Sequence, residues 1–311
     1  MRRLKVCFVG VGSIATRHIK NLRYVCNERN IELSVDAVRR VDSKPLAKEL
    51  GVDKVYLDND DIPADYDVLF ITNPTSMHMD VLEKYHNNAK HFFIEKPISS
   101  LDEIDRVTHF PYRANATYYV ACPMRYFGVM QYLKSNVDMT KVISARSVCS
   151  SYLPEWRPGT DYRECYSAHK SMGGGVSIDL IHEWDYLTDL FGMPDSVIGK
   201  MGKISSLEID SEDYALYIGQ YKDKIVELHL DYFGRQSIRE LMLITDEETI
   251  IADFIGKTVR FCKAGAVLDF AEERDDGCRR ELAHFLDIID GIIESDNTPE
   301  HAAEVMKISQ I

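Results

Sequence analysis

The stretch GGGVSIDLIHEWDYL, residues 173–187, gathers Asp179, His182, Glu183 and Asp185 behind three glycines. Imidazole and carboxylate groups at such spacing are the materials of general acid–base chemistry. On a helix, Asp179 stands about one turn before both His182 and Glu183, so the three can share a face and a proton. The glycines permit close backbone approach, to a ligand or to another segment. Val176, Leu180, Trp184 and Leu187 recur at helical spacing and would fix that face against a core. A buried helix with a satisfied Asp–His pair accounts for the same residues, and the stretch alone leaves both readings open.

A second chemical signature follows the apolar run Leu4 to Val9. In GVGSIA, Gly10 permits a tight turn and Gly12 lets a pyrophosphate approach the backbone, while Ser13 and Ile14 begin a helix and Ala15 takes the small-residue place where helix packs on strand. The unpaired N–H groups of that helix start suit phosphate. After the next apolar run, two candidates compete for the cofactor's ribose. Asp36 lies near the spacing at which a carboxylate binds the 2'-hydroxyl of NAD. Alternation along Leu33, Val35 and Ala37 keeps Asp36 inside the strand, however, and leaves Arg39 and Arg40 at its carboxyl end, where guanidinium groups match a 2'-phosphate. The expected cofactor is NADP, with NAD the alternative; the competing role of the arginines is a solvated strand end.

These groups need elements to position them. Strands at Leu4–Val9, Ile31–Val38, near Val55, Tyr66–Thr72, His91–Ile94 and Tyr118–Ala121 alternate with helices that include Pro45–Leu50, Met79–Asn87 and Leu101–Val107. Such alternation predicts a doubly wound parallel sheet of Rossmann type, with ligands outside the carboxyl ends of its strands. Thr72, Asn73, His78, Glu95 and Lys96 fall at such ends, although His78 reads equally as a helix-start residue. Lys96, between Glu95 and Pro97, is poorly placed for mere solubility. Beyond residue 120 the pattern becomes long alternating strands, as in Ile225–Phe233, where Val226, Leu228, Leu230 and Tyr232 alternate with Glu227, His229 and Asp231. The expectation is α/β overall: a dinucleotide-binding domain over residues 1–120, then an α+β domain over 121–311 with a largely antiparallel open sheet. Helical segments near 279–293 and 302–308 close the chain.

Composition bounds the function. The chain has 311 residues and a formal charge of -13, which argues against a nucleic-acid or anionic-membrane surface. The seven cysteines are scattered without a C-x-x-C, as expected of reduced thiols in a cytoplasm and not of a zinc site or disulfide framework. No metal is expected, and no run approaches the length of a membrane span.

GVGSIATRH after the first strand, NPTSMH after the fourth, the EKP tripeptide at 95–97 and GGG followed by D-x-x-H together resemble the glucose-fructose oxidoreductase and inositol dehydrogenase family, Gfo/Idh/MocA, over nearly the whole chain. The resemblance implies a nicotinamide-dependent oxidoreductase acting on a sugar, cyclitol or sugar derivative. It implies that the open sheet of the second domain covers the substrate and often forms contacts of a homo-oligomer, a dimer or tetramer. It also implies that Lys96 touches substrate hydroxyl and nicotinamide, that His182 is the general base, and that Asp179 orients it or binds substrate. Many members carry His four residues after Asp, a place held here by Glu183, so the choice between His182 and Glu183 stays open.

The segment SSYLPEWRPGTDYRECYSAHKSM, residues 150–172, is longer than an ordinary connection and carries Trp156, Arg157, Tyr162, Arg163, His169 and Lys170. In an acidic chain, cations beside aromatic faces point to an anionic sugar such as a nucleotide-sugar or sugar acid. Arg125 and Arg235 add to that set. Subgroup resemblance points to surface-polysaccharide or nonulosonate pathways. The competing reading is that Trp156 packs under the loop while its arginines pair with Glu155, Asp161 and Glu164. A non-catalytic dinucleotide- and sugar-binding sensor is the alternative to an enzyme, but a sensor has no need of Lys96, Asp179 and His182 together.

Overall fold

The computed structural model describes residues 2–40, 46 and 48–311. The chain divides into two compact units, residues 1–123 with 275–303, and residues 124–274 with 304–311. In chain order the first unit contributes β1 (Arg2–Val9), α1 (Ser13–Glu28), β2 (Ile31–Arg39), β3 (Lys54–Leu57), β4 (Tyr66–Ile71), α2 (His78–Tyr85), β5 (Ala89–Ile94), α3 (Ile104–His109) and β6 (Tyr118–Val120). The helix expected over Pro45–Leu50 lies partly outside the described residues; Lys48–Leu50 forms a 3-10 turn.

The six strands form a parallel sheet in the order β3-β2-β1-β4-β5-β6. The order reverses between β1 and β4, the switch point outside which ligands bind in doubly wound folds. Strand burial explains the near-continuous apolar runs: Val6, Phe8, Val68, Phe70, Phe92 and Phe93 are all fully buried.

The second unit begins with α4 (Gly128–Asn136), followed by β7 (Val142–Tyr152), α5 (Val176–Asp179), α6 (His182–Phe191), β8 (Ser196–Gly202), β9 (Tyr214–Gln220), β10 (Ile225–Asp231), β11 (Phe233–Thr245), β12 (Thr249–Asp253), β13 (Thr258–Phe261) and β14 (Ala266–Asp269). Its sheet runs β14-β13-β12-β11-β7-β10-β9-β8, and only β7 and β10 pair in parallel. The sheet is thus mixed and largely antiparallel, with open edges.

The single break expected at residue 120 does not describe these units. After β14 the chain returns to the first unit as α7 (Asp276–Ile289), and α8 (Pro299–Ile308) follows. The cause is burial: α7 packs on α1, and Phe285 lies edge-on to Phe93 at 5.2 Å and against Tyr119 at 5.5 Å. Its apolar stripe of Cys278, Leu282, Phe285 and Leu286 completes the core around the parallel sheet.

Candidate active site

In the first unit, Gly10 turns the chain at φ 83°, and a Cβ there would stand 2.7 Å from the Asn73 backbone. The β1 and β4 ends meet at this point, where the Thr72 hydroxyl donates to the Gly10 carbonyl at 2.7 Å. Helix α1 begins after Gly12 with no side-chain cap and no acidic residue in its first turn, leaving its positive end for an anion. A Cβ on Gly12 would meet nothing within 4 Å, whereas Ala15 is fully buried against the sheet. Ser13 is exposed and Ile14 half-buried. Asn73 Oδ1 is buried without a hydrogen-bond donor among the described residues. Open backbone, uncapped helix and an unmet acceptor at the switch point fit a dinucleotide.

At the end of β2 the two ribose candidates separate. Asp36 is buried within the strand and accepts a 2.7 Å hydrogen bond from the Tyr66 hydroxyl. Arg39 is the last strand residue and its Nε is buried with no hydrogen-bond partner among the described residues, while Arg40 follows on the surface.

His78 lies between two backbone carbonyls. Its ring is buried, with Nε2 3.0 Å from the Asn73 carbonyl and Nδ1 3.1 Å from that of Pro97. Burial pushes its pKa down despite these carbonyls, which leaves a neutral ring with one N–H to donate. That single N–H can bond the carbonyl of Asn73 or of Pro97, but not both at once, between the loops that carry Asn73 and Lys96. On the other side, Glu95 accepts from Lys96 N–H at 3.2 Å and meets His18 Nε2 at 2.5 Å. Burial opposes the Glu95 charge, but the His18 hydrogen bond and the nearby charges of His18, Lys96 and His78 prevail and hold its pKa below the usual carboxylate range. Lys96 is half-buried, and its ammonium makes no hydrogen bond or ion pair with a described residue.

In the second unit the 173–187 stretch is not one helix. Helix α5 ends at Asp179, Leu180 leaves helical geometry at φ −100° and ψ 29°, and α6 starts at His182. Its glycines serve the unit's own packing: a Cβ on Gly174 would fall 2.0 Å from the Tyr166 carbonyl, and one on Gly175 would meet the Glu212 carboxylate at 2.0 Å. Of the two alternatives left open, a ligand or another segment, Gly174 and Gly175 take the second, whereas a Cβ on Gly173 would meet nothing within 4 Å.

The titratable groups of the stretch now sort themselves. Asp179 is buried and accepts a 2.6 Å hydrogen bond from the Tyr232 hydroxyl. Glu183 is fully buried and meets Arg239 Nε at 2.5 Å. Asp185 takes a two-pronged bond from Arg125, with Nη2 at 2.7 Å and Nε at 2.9 Å. His182 is half-exposed.

Arg125 was expected at the substrate, yet it is 1% exposed and also reaches Asp189 at 3.3 Å. Its charge is consumed inside the unit, so it leaves the substrate set. Trp156 donates to Ser151 at 2.9 Å and stands edge-on to Tyr232 at 5.2 Å. The exposed Arg157 lies over the Tyr166 ring at 5.3 Å, while Arg163 pairs with Asp161 and Glu208. Tyr162 accepts from the Glu208 amide at 3.1 Å, and Lys170 is exposed with its amide bonded to Asp210. Among the described residues, no group of three or more His, Cys, Asp or Glu side chains is placed to hold a metal ion, and no helix is long and apolar enough to cross a membrane.

Residues 4–122 match the model of a family described as an oxidoreductase family with an NAD-binding Rossmann fold. That family is Gfo/Idh/MocA. Relatives of the chain include an uncharacterised oxidoreductase, YrbE, of Bacillus subtilis, 23% identical over 188 residues, 59% of this chain and 52% of the relative. The scyllo-inositol 2-dehydrogenase (NAD(+)) of the same species is 23% identical over 206 residues, 65% of this chain and 58% of its own. The chain thus spans little more than half the length of these curated relatives. UDP-N-acetylglucosamine 3-dehydrogenase of Acidithiobacillus ferrooxidans superposes with a TM-score of 0.77 at 19% identity, covering 100% of this chain and 96% of its own. Levoglucosan dehydrogenase, solved with NADH and levoglucosan, gives 0.82 at 14% identity over 99% and 96%. At such identities the likeness is one of fold, and both units share it.

Tyr66, Tyr166 and Tyr232 are the side chains that motif reading passed over. Tyr232 carries a signal: it continues the buried face of β10, and a buried tyrosine hydroxyl must find a partner.

Proposed function

We propose that the chain is an NADP-dependent dehydrogenase or ketoreductase acting on a sugar carbinol, with an anionic sugar such as a nucleotide-sugar or sugar acid as substrate. The observation that carries the acid–base assignment is the sorting of the 179–185 stretch. Asp179, Glu183 and Asp185 are buried, whereas His182 alone of the four is half-exposed. His182 accordingly takes the hydroxyl proton, Asp179 orients it or binds the substrate, and Lys96 stabilises the charge that develops on the hydroxyl oxygen. The bound nicotinamide supplies the hydride acceptor or donor.

The cofactor preference follows from Asp36 and Arg39. A carboxylate already holding Tyr66 inside the strand is unavailable to a ribose hydroxyl, while the Arg39 guanidinium has an unmet buried donor at the strand end. Arg157, Lys170, Tyr162 and Trp156 are proposed to meet the anionic sugar. In support, Arg157 lies on an aromatic ring and not on a carboxylate.

The test supplies NADPH or NADP with a panel of nucleotide-sugars, sugar acids and neutral sugars and follows nicotinamide absorbance. The reading predicts turnover of a charged sugar. It also predicts about 10-fold to 100-fold weaker NADPH binding in Arg39→Ala, the usual worth of a charge-assisted hydrogen bond. Cofactor binding with no turnover of any sugar would favour a sensor, and unchanged NADPH affinity in the variant would return the ribose to Asp36.

A further inference from the structure

Tyr232 touches both the acid–base stretch and the loop proposed to meet the sugar. Its hydroxyl donates to Asp179 at 2.6 Å, and both groups are buried. Its ring takes the edge of Trp156 at 5.2 Å, and its carbonyl accepts from Leu153 N–H at 2.9 Å, at the start of the turn that carries Trp156. A second tyrosine repeats the pattern. The Tyr166 ring lies under Arg157, and its hydroxyl is pushed upward by desolvation and the Asp179 charge although the residue as a whole is 43% exposed. Two residues proposed to bind sugar therefore rest on tyrosines, of which Tyr232 bonds the Asp179 carboxylate and Tyr166 is influenced by its charge.

Resting on the dehydrogenase reading, we infer that Tyr232 is a positioning residue: it fixes the Asp179 carboxylate and is itself seated by Trp156, so that the sugar-binding loop sets the position of the aspartate. Binding energy gathered by the loop, remote from the reacting carbon, is thereby spent on turnover and not only on affinity. Neither the glycine motif nor the D-x-x-H pattern contains this residue, which reaches Asp179 across 53 positions of sequence.

Tyr232→Phe keeps the ring beneath Trp156 and removes only the hydroxyl. It is compared with Asp179→Asn and the double variant in the full chain, with thermal melting to confirm that each folds. The expected result is a loss of about tenfold or more in kcat with KM changed less than about threefold, the signature of a misplaced group in the transition state. In the Asp179→Asn background the tyrosine substitution should add nothing, whereas a merely structural role gives losses that multiply. Full kcat in Tyr232→Phe, or multiplying losses, overturns the inference.

A second reading needs no substrate. The chain has two tryptophans, and subtracting the Trp156→Phe spectrum isolates the emission of Trp156. Asp179→Asn should shift that emission when Tyr232 is present and leave it unmoved in Tyr232→Phe. If the wild type turns over no sugar, the dehydrogenase reading fails, and this arm alone decides the coupling: a shift that depends on Tyr232 upholds it, and none overturns it.

Discussion

Glu183 and His182 are adjacent, yet their side chains belong to different problems. Glu183 is fully buried against Arg239, and desolvation of both groups makes that pair costly to break. Glu183→Gln should therefore lower unfolding stability by about 3 kcal/mol, the usual cost of stranding one member of a buried pair, as read by denaturant titration. A change within the error of that titration would mean that the carboxylate is not needed by the fold. Glu95 makes a second prediction, in acid. Its folded pKa lies below the usual value, so it contributes stability above about pH 4.3, the unfolded value, and that stability is lost as pH falls through the lower folded value. Glu95→Gln should flatten the acid limb of the pH–stability curve; an unchanged limb would deny the pair with His18 any such role. A motif supplies the position of these residues but not their partners. Asp185 and Arg125 are separated by 60 positions, which is why Arg125 read as a sugar ligand and proved to be a core ion pair.

The elements were legible where a local rule sufficed. The turn at Gly10, the small Ala15 and the alternation of β10 each follow from sterics acting over a few residues. Strand β8, SVIGKMG, was missed because its glycines and lysine interrupt the apolar pattern. Strand β11 starts at Phe233 and shifts register against β7 between Phe233 and Ile238, an irregularity that no alternation marks. The 173–187 stretch reads as one amphipathic helix because its apolar spacing runs through Leu180, whereas the backbone breaks there. Gly174 and Gly175 are close-approach positions as expected, whereas Gly173 meets nothing within 4 Å and serves its positive φ of 77°; sequence does not say what approaches the other two. Gly174→Ala would press a methyl group on the Tyr166 carbonyl. A loss of about 1–3 kcal/mol is expected, as for other overpacked sites, measured by chemical denaturation. Wild-type stability in that variant would contradict the packing described for this turn.

At the scale of the molecule, alternation between strands and helices made the parallel sheet and the change of pattern beyond residue 120 readable. The return of α7 to the first unit was not, since an amphipathic stripe specifies that a helix needs a partner but not which one. Phe285 settles it by packing on Phe70, Phe93 and Tyr119. A fragment of residues 1–120 therefore lacks part of its own core, and it should show no cooperative thermal transition by circular dichroism. A cooperative transition comparable to that of the whole chain would contradict the division of units. The central claim, that this chain is a sugar oxidoreductase using Lys96 and His182, is tested most directly by steady-state turnover of wild type, Lys96→Ala and His182→Ala with NADPH and the sugar panel. Turnover by the wild type and a loss of about a hundredfold or more in each variant are predicted; turnover that survives both substitutions unchanged would contradict it.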